Sequence, residues 1–174
     1  MSMPATVSAA TAVPATTDKA GAAVMGGSQE VLTFTIGDQN YGLDLLSVRE
    51  IRAWTDVTPL PNTPPFVRGV INLRGAVVPI FDLRVRLGGG VTQPTSANVV
   101  IVVEIGSESV GLLVDTVSDI LALDASALQP VPATAADEEH TFLSALATHE
   151  ERMVALIDVN RLFNRGVPSI SAAA

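Results

Sequence analysis

Two blocks of this sequence recur in the same order, and that duplication limits the folds open to the chain more than any other feature. Phe34-Thr-Ile-Gly37 followed by Tyr41-Gly42-Leu43 superposes on Val103-Glu-Ile-Gly106 followed by Val110-Gly111-Leu112, an offset of 69 positions from Gly37 to Gly106. The same register pairs Val48 with Val117 and Ile51 with Ile120. Further on, Val77-Val-Pro-Ile-Phe-Asp-Leu83 falls on Met153-Val-Ala-Leu-Ile-Asp-Val159, an offset of 76 positions from Asp82 to Asp158. Each half therefore reads as a hairpin, a short irregular or helical piece, a connector, and a strand closing on Asp. Matched glycines in matched order mark an internal repeat.

The repeated units are β in character. Val31 to Ile36 alternates into a turn expected at Gly37 to Asn40, and Tyr41-Gly42-Leu43 resumes it. Val99 to Ile105 is β-branched and bounded by Gly106-Ser107-Glu108-Ser109, a second hairpin signal. Prolines at 59, 61, 64, 65, 130 and 132 mark connectors. Helix is expected only over Leu45 to Ala53 and Val159 to Asn164, with Gly88-Gly-Gly90 as a linker between the halves. Short strands and turns, given twice, predict two small β-barrels packed together. The glycine within each hairpin strand suits a bend or a close backbone approach.

At 174 residues, 48% of them hydrophobic, the chain suffices for one ordinary domain or two subdomains sharing a core. The longest strictly apolar runs fall far short of a spanning helix, so a soluble protein is expected. Residues 1–29 are Ala, Thr, Ser and Gly without apolar periodicity and read as a flexible tail, with 166–174 as a shorter one. The N-terminus carries no secretory pattern, which makes the cytoplasm the expected compartment. Cysteine is absent, excluding disulfides, thiolate metal sites and cysteine nucleophiles. The net charge of -8 argues against nucleic acid. The charge is also polarised: Arg49, Arg52, Arg68, Arg74, Arg84 and Arg86 crowd one stretch, while 104 to 151 carries acids and no Lys or Arg. Such a division fits either differently solvated faces or two docking surfaces.

Catalytic chemistry finds no footing. His140 and His149 lack metal-ligand spacing, and Gly88-Gly-Gly90 lacks the ending of a phosphate-binding loop. Asp82 and Asp158 end matched strands, where a carboxylate caps the next turn or helix. A small hydrolase or ligand-binding barrel using Asp44, Asp82 or Asp115 is the competing class. Arg74 stands inside the apolar run Gly69-Val-Ile-Asn-Leu-Arg-Gly-Ala-Val-Val-Pro-Ile-Phe-Asp-Leu83, whose second part recurs as the strand ending each half, so Arg74 is expected in a turn between strands. Its guanidinium suits either a partner's carboxylate or carbonyls, or an internal acid such as Glu50.

Phe34-Thr-Ile-Gly-Asp-Gln-Asn-Tyr-Gly-Leu-Asp44, Val48-Arg-Glu-Ile-Arg52, Pro61-Asn-Thr-Pro-Pro-Phe-Val-Arg-Gly-Val-Ile-Asn-Leu-Arg-Gly75, Val78-Pro-Ile-Phe-Asp-Leu-Arg84 and Val110-Gly-Leu-Leu-Val-Asp-Thr-Val-Ser-Asp-Ile120 together closely resemble the bacterial chemotaxis coupling (CheW-like) family. The resemblance spans about residues 30–165. It implies an all-β fold of two SH3-like five-stranded β-barrel subdomains, about 30–88 and 96–165, with a few short helices. It also implies a non-enzymatic, cofactor-free and metal-free cytoplasmic adaptor, attached to arrays of membrane-bound chemoreceptors without inserting in the membrane itself. The implied partners are the chemoreceptor (methyl-accepting) cytoplasmic tips, docked in the groove between subdomains, and the regulatory domain of the chemotaxis histidine kinase. By position, Val48, Glu50, Arg74, Gly75, Val99, Gly111, Val117 and Ile120 are the implied partner-binding residues.

Overall fold

The computed structural model describes residues 28–132 and 142–163; the expected tails at 1–29 and 166–174 lie almost wholly outside them, as does His140. The strands are β1 (Ser28–Ile36), β2 (Gln39–Asp44), β3 (Val48–Ala53), β4 (Val67–Leu73), β5 (Ala76–Asp82), β6 (Val99–Ile105), β7 (Glu108–Val114), β8 (Thr116–Asp124), β9 (Leu128–Gln129), β10 (Leu143–His149) and β11 (Arg152–Ile157). Two single-turn helices, α1 (Leu83–Arg86) and α2 (Val159–Leu162), follow β5 and β11. The all-β expectation is met. No helix among the described residues is long and apolar enough to cross a membrane.

Hairpin turns are tighter than the four-residue loops expected. Ile36 pairs with Gln39 and Ile105 with Glu108, which leaves only Gly37-Asp38 and Gly106-Ser107 between strands. Both glycines hold φ +62, at the first central position, where a two-residue hairpin with type II′ character needs glycine. Helix over Leu45 to Ala53 does not form. Only Leu45–Ser47 makes a 3-10 turn, capped by Asp44, whose Oδ1 accepts the Leu46 N–H at 2.9 Å. Val48–Ala53 is β3 instead, because β-branched Val48 and Ile51 gain ladder bonds against Val103 and Ile101 of β6. α1 was not expected, and α2 is shorter than predicted.

The sheets do not divide where the sequence halves do. One sheet runs β8-β1-β2-β11-β10-β9 and the other β3-β6-β7-β5-β4. The first hairpin thus joins the strands of the second half, and the second hairpin joins those of the first, an exchange the sequence leaves open. Parallel pairing of β11 with β2 and of β5 with β7 seals each exchange.

This exchange explains the unbroken apolar runs. In β1, Val31 points into a core belonging to its own sheet, with Leu123, Ala147, Val154 and Leu156, while Leu32 and Phe34 point into a larger core shared by both sheets. In β6, Val100 and Val102 face the second sheet's own core, and Ile101 and Val103 the shared one. A strand buried on both faces shows no polar alternation, so its period of two is hidden in the sequence. Full burial of each such side chain contributes about 1.5–3 kcal/mol.

The two sheets are internally equivalent in detail. Gly42 lies opposite Leu156, and Gly111 opposite Ile80. A Cβ at 42 would stand 2.5 Å from Val31 Cγ1, and one at 111 would stand 2.4 Å from Ile80 Cδ1. Asp82 and Asp158 both cap the helix that follows, and each donates its backbone N–H to a phenylalanine carbonyl, Phe66 and Phe142 respectively. Asp82 goes further: fully buried, it accepts the Thr92 N–H at 2.8 Å and the Thr92 hydroxyl at 2.7 Å. A bond without a counterpart ties the sheets together. Asp115 Oδ2 accepts the Gly37 N–H at 2.7 Å, and the same oxygen takes the Arg84 guanidinium from α1. Burial disfavours the Asp115 carboxylate, but the Gly37 N–H and Arg84 outweigh it and hold its pKa below the usual range.

Gly111→Ala is expected to cost about 1–3 kcal/mol in denaturant unfolding, because Ile80 and Val100 are themselves buried and have no room to yield. For Asp115, a lowered folded-state pKa means its stabilisation is present above the unfolded carboxylate pKa of about 4 and is lost as pH falls through the folded value. Unfolding melts at neutral and strongly acidic pH should therefore show Asp115→Asn clearly less stable than the parent near neutrality, with the gap closing in acid.

Candidate partner-binding surface

Arg74 owes its position to a turn rather than a strand. Leu73 pairs with Ala76, so Arg74-Gly75 forms the two-residue link between β4 and β5, with φ of +55 and +89. Asn72 Oδ1 accepts the Gly75 N–H at 3.0 Å and braces the link. Two positive φ values give the turn type I′ character, for which Asn-Gly is favoured and arginine is strained. The guanidinium projects into solvent, 83% exposed, and reaches Glu50 Oε2 at 3.4 Å. Glu50 also pairs with Arg52 at 3.5 Å. β3 and β4 lie at opposite ends of their sheet's strand order, so the Glu50–Arg74 contact is possible only because that sheet curls round. An internal partner therefore exists, but such an exposed pair is worth only ~0–1 kcal/mol.

The other arginines of this stretch are mostly engaged within the molecule. Arg49 pairs with Glu104 at 2.7 Å, Arg84 with Asp115, and Arg68 approaches Asp82 at 3.8 Å. Arg86 donates to the Leu162 carbonyl and sits over the Phe66 ring. The arginine side of the charge polarisation is thus largely engaged within the molecule, Arg74 being the most outward of these cations, while of the described acids from 104 to 151 only Glu104 and Asp115 meet an arginine.

Val48, Val99 and Val117 are partly buried and pack against the core shared by the sheets, which places them along the seam between them. Val48 and Val117 occupy equivalent starts of β3 and β8, each an outer strand of its sheet. Ile120, further along β8, is 55% exposed, and its equivalent Ile51 on β3 is 46% exposed. Glu50, Arg74 and Gly75 form a second cluster at the β4–β5 turn. Gly111 joins neither: it is buried in the barrel wall, where it has no side chain to offer and no space for one.

Among the described residues, the exposed apolar side chains Leu46, Val77, Val91 and Met153 escaped the sequence reading. Leu46 is 94% exposed on the 3-10 turn before Val48, and Val77 and Met153 are exposed at equivalent places on β5 and β11. Only the repeat register carried a signal for the last pair, since an apolar residue in a strand otherwise reads as core. The three carboxylates of the hydrolase reading are each committed to structural donors: Asp44 to Leu46, Asp82 to Arg84 and Thr92, Asp115 to Gly37 and Arg84. No group of three or more His, Asp or Glu among the described residues could hold a metal ion.

Comparison with known proteins converges on one family. The model of the CheW-like domain matches residues 30–167. Chemotaxis protein CheW of Rhizobium meliloti is 45% identical over 137 residues, covering 79% of this chain and 88% of that protein. Chemotaxis protein CheW of Klebsiella aerogenes is 43% identical, with 78% and 82% covered. In three dimensions the scaffolding protein TtCheW of Thermoanaerobacter tengcongensis superposes with a TM-score of 0.70 at 31% identity, over 78% of this chain and 92% of the other. The repeat, the exchanged hairpins and the seam therefore belong to a chain that is a member of the CheW-like domain family.

Proposed function

We propose that this protein is a non-enzymatic coupling scaffold of bacterial chemotaxis, joining chemoreceptor cytoplasmic tips to the regulatory domain of the chemotaxis histidine kinase. The observation that carries this reading is Arg74: a strained turn holds a nearly free guanidinium outward, at a stability cost that packing does not explain. Val48, Val99, Val117 and Ile120 supply an apolar track along and beside the seam, suited to one face of a helical receptor tip. Glu50, Arg74 and Gly75 supply polar recognition near it, through a carboxylate and a planar donor fork. Gly111 serves indirectly, by keeping the barrel wall thin.

Coupling needs no bond chemistry. Holding two partners at fixed geometry turns their meeting into an intramolecular event with a high effective concentration. The scaffolding description of the Thermoanaerobacter relative and the commitment of Asp44, Asp82 and Asp115 to structural bonds both favour this over hydrolysis.

Pull-down with a receptor signalling fragment and with the kinase's regulatory domain tests the whole reading; retention of neither would end it. Arg74→Asn separates binding from folding, because Asn-Gly is the favoured I′ pair. The variant should unfold at an equal or higher denaturant midpoint, while its receptor affinity falls by about tenfold. Raising salt from low to high ionic strength should weaken receptor binding in the parent and do so less in Arg74→Asn.

A further inference from the structure

We infer that the cavity at the end of the β8-β1-β2-β11-β10-β9 sheet is a docking site for the chain's own C-terminal segment, with Ser169 donating to Asp158. The cavity, of about 390 Å³, is lined among others by Val31, Asp44, Ser144, Leu156, Asp158 and Asn160. At the equivalent place in the other sheet the Asp82 carboxylate is covered by a later stretch of chain. There the chain leaves α1 at Leu87, reverses through Gly88 and Gly90, and brings Thr92 onto Asp82 with two hydrogen bonds. Arg68 also reaches that carboxylate, whereas the equivalent residue at the open site is the small Ser144.

Asp158 is correspondingly under-used. Its Oδ1 accepts from Asn160 N and Arg161 N, but among the described residues Oδ2 has only the Arg161 guanidinium at 3.5 Å, and the side chain is 32% exposed. Asp82 is fully buried under Thr92.

The sequence after α2 retains what the filling segment uses. At the offset of 76, Gly88 and Gly90, both at positive φ, correspond to Asn164 and Gly166, residue types that tolerate that conformation. Gly89, where a Cβ would lie 3.0 Å from Arg84 Cγ, corresponds to Arg165, and the side chain opposite shortens from Arg84 to Asn160. Thr92 corresponds to Pro168, which has no N–H, so the first residue able to donate both N–H and hydroxyl is Ser169. Reach is adequate: Leu87 to Thr92 and Phe163 to Ser169 differ by one residue.

The absence of cysteine allows a direct test. Ser144→Cys places a lone thiol on the cavity wall, and its labelling rate is compared between the full chain and a chain ending at Arg165. Docking predicts at least about tenfold faster labelling in the shortened chain, and the same acceleration in full-length Ser169→Pro. Amide exchange in the unmodified full chain gives an independent reading: the Ser169 N–H should exchange at least about tenfold more slowly than that of Ser171. Equal labelling rates, or a Ser169 amide that exchanges as fast as Ser171, would overturn the inference.

Discussion

The apolar layer between the two sheets, with Phe34, Phe81, Ile101, Leu112 and Ile157 at its centre, exists because β1–β2 and β6–β7 each pair with the strands of the opposite half. Each exchanged hairpin is central in its sheet and buried on both faces. Neither half can complete a sheet without strands contributed by the other, so the two barrels are parts of one cooperative unit. Nearly half of the strand pairing consequently joins strands that no hairpin connects, and β topologies of this kind fold on the slower side for their size.

Equivalence between the halves makes the departures from it informative. Gly42 and Gly111 meet the same close approach, and Asp82 and Asp158 cap the same helix start. Yet the β4–β5 turn carries Arg74-Gly75 where the β10–β11 turn carries Glu150-Glu151, all four at positive φ. The two barrels thus share a framework and present opposite charge at corresponding tips. Asp115 has no counterpart at all, because Leu46 stands in its place, and its bond to Gly37 and Arg84 joins the sheets on one side only.

At the surface, strain and exposure coincide. Glu50 holds Arg74 loosely, and Val48, Val99 and Val117 along the seam are only partly buried. A scaffold needs such a surface to be stable before a partner arrives, and the buried framework supplies that stability while the turn supplies the charge.

Much of this was legible in the residues themselves. The glycine turns, the capping Asp82 and Asp158, the repeat and the all-β character depend on φ preference and on bonds within a few positions, and local sequence determines such things. Even so, local reading failed at Val48 to Ala53, where ladder bonds to β6 overrode a helical pattern. Tertiary structure alone decided which hairpin joins which sheet, that Gly111 is wall rather than surface, and that Arg74 meets Glu50. The reason is that a strand with apolar residues at every position conceals which face each one serves. Only the packing of two sheets, which gives one set of alternate residues to a barrel interior and the other to the layer between them, settles the assignment.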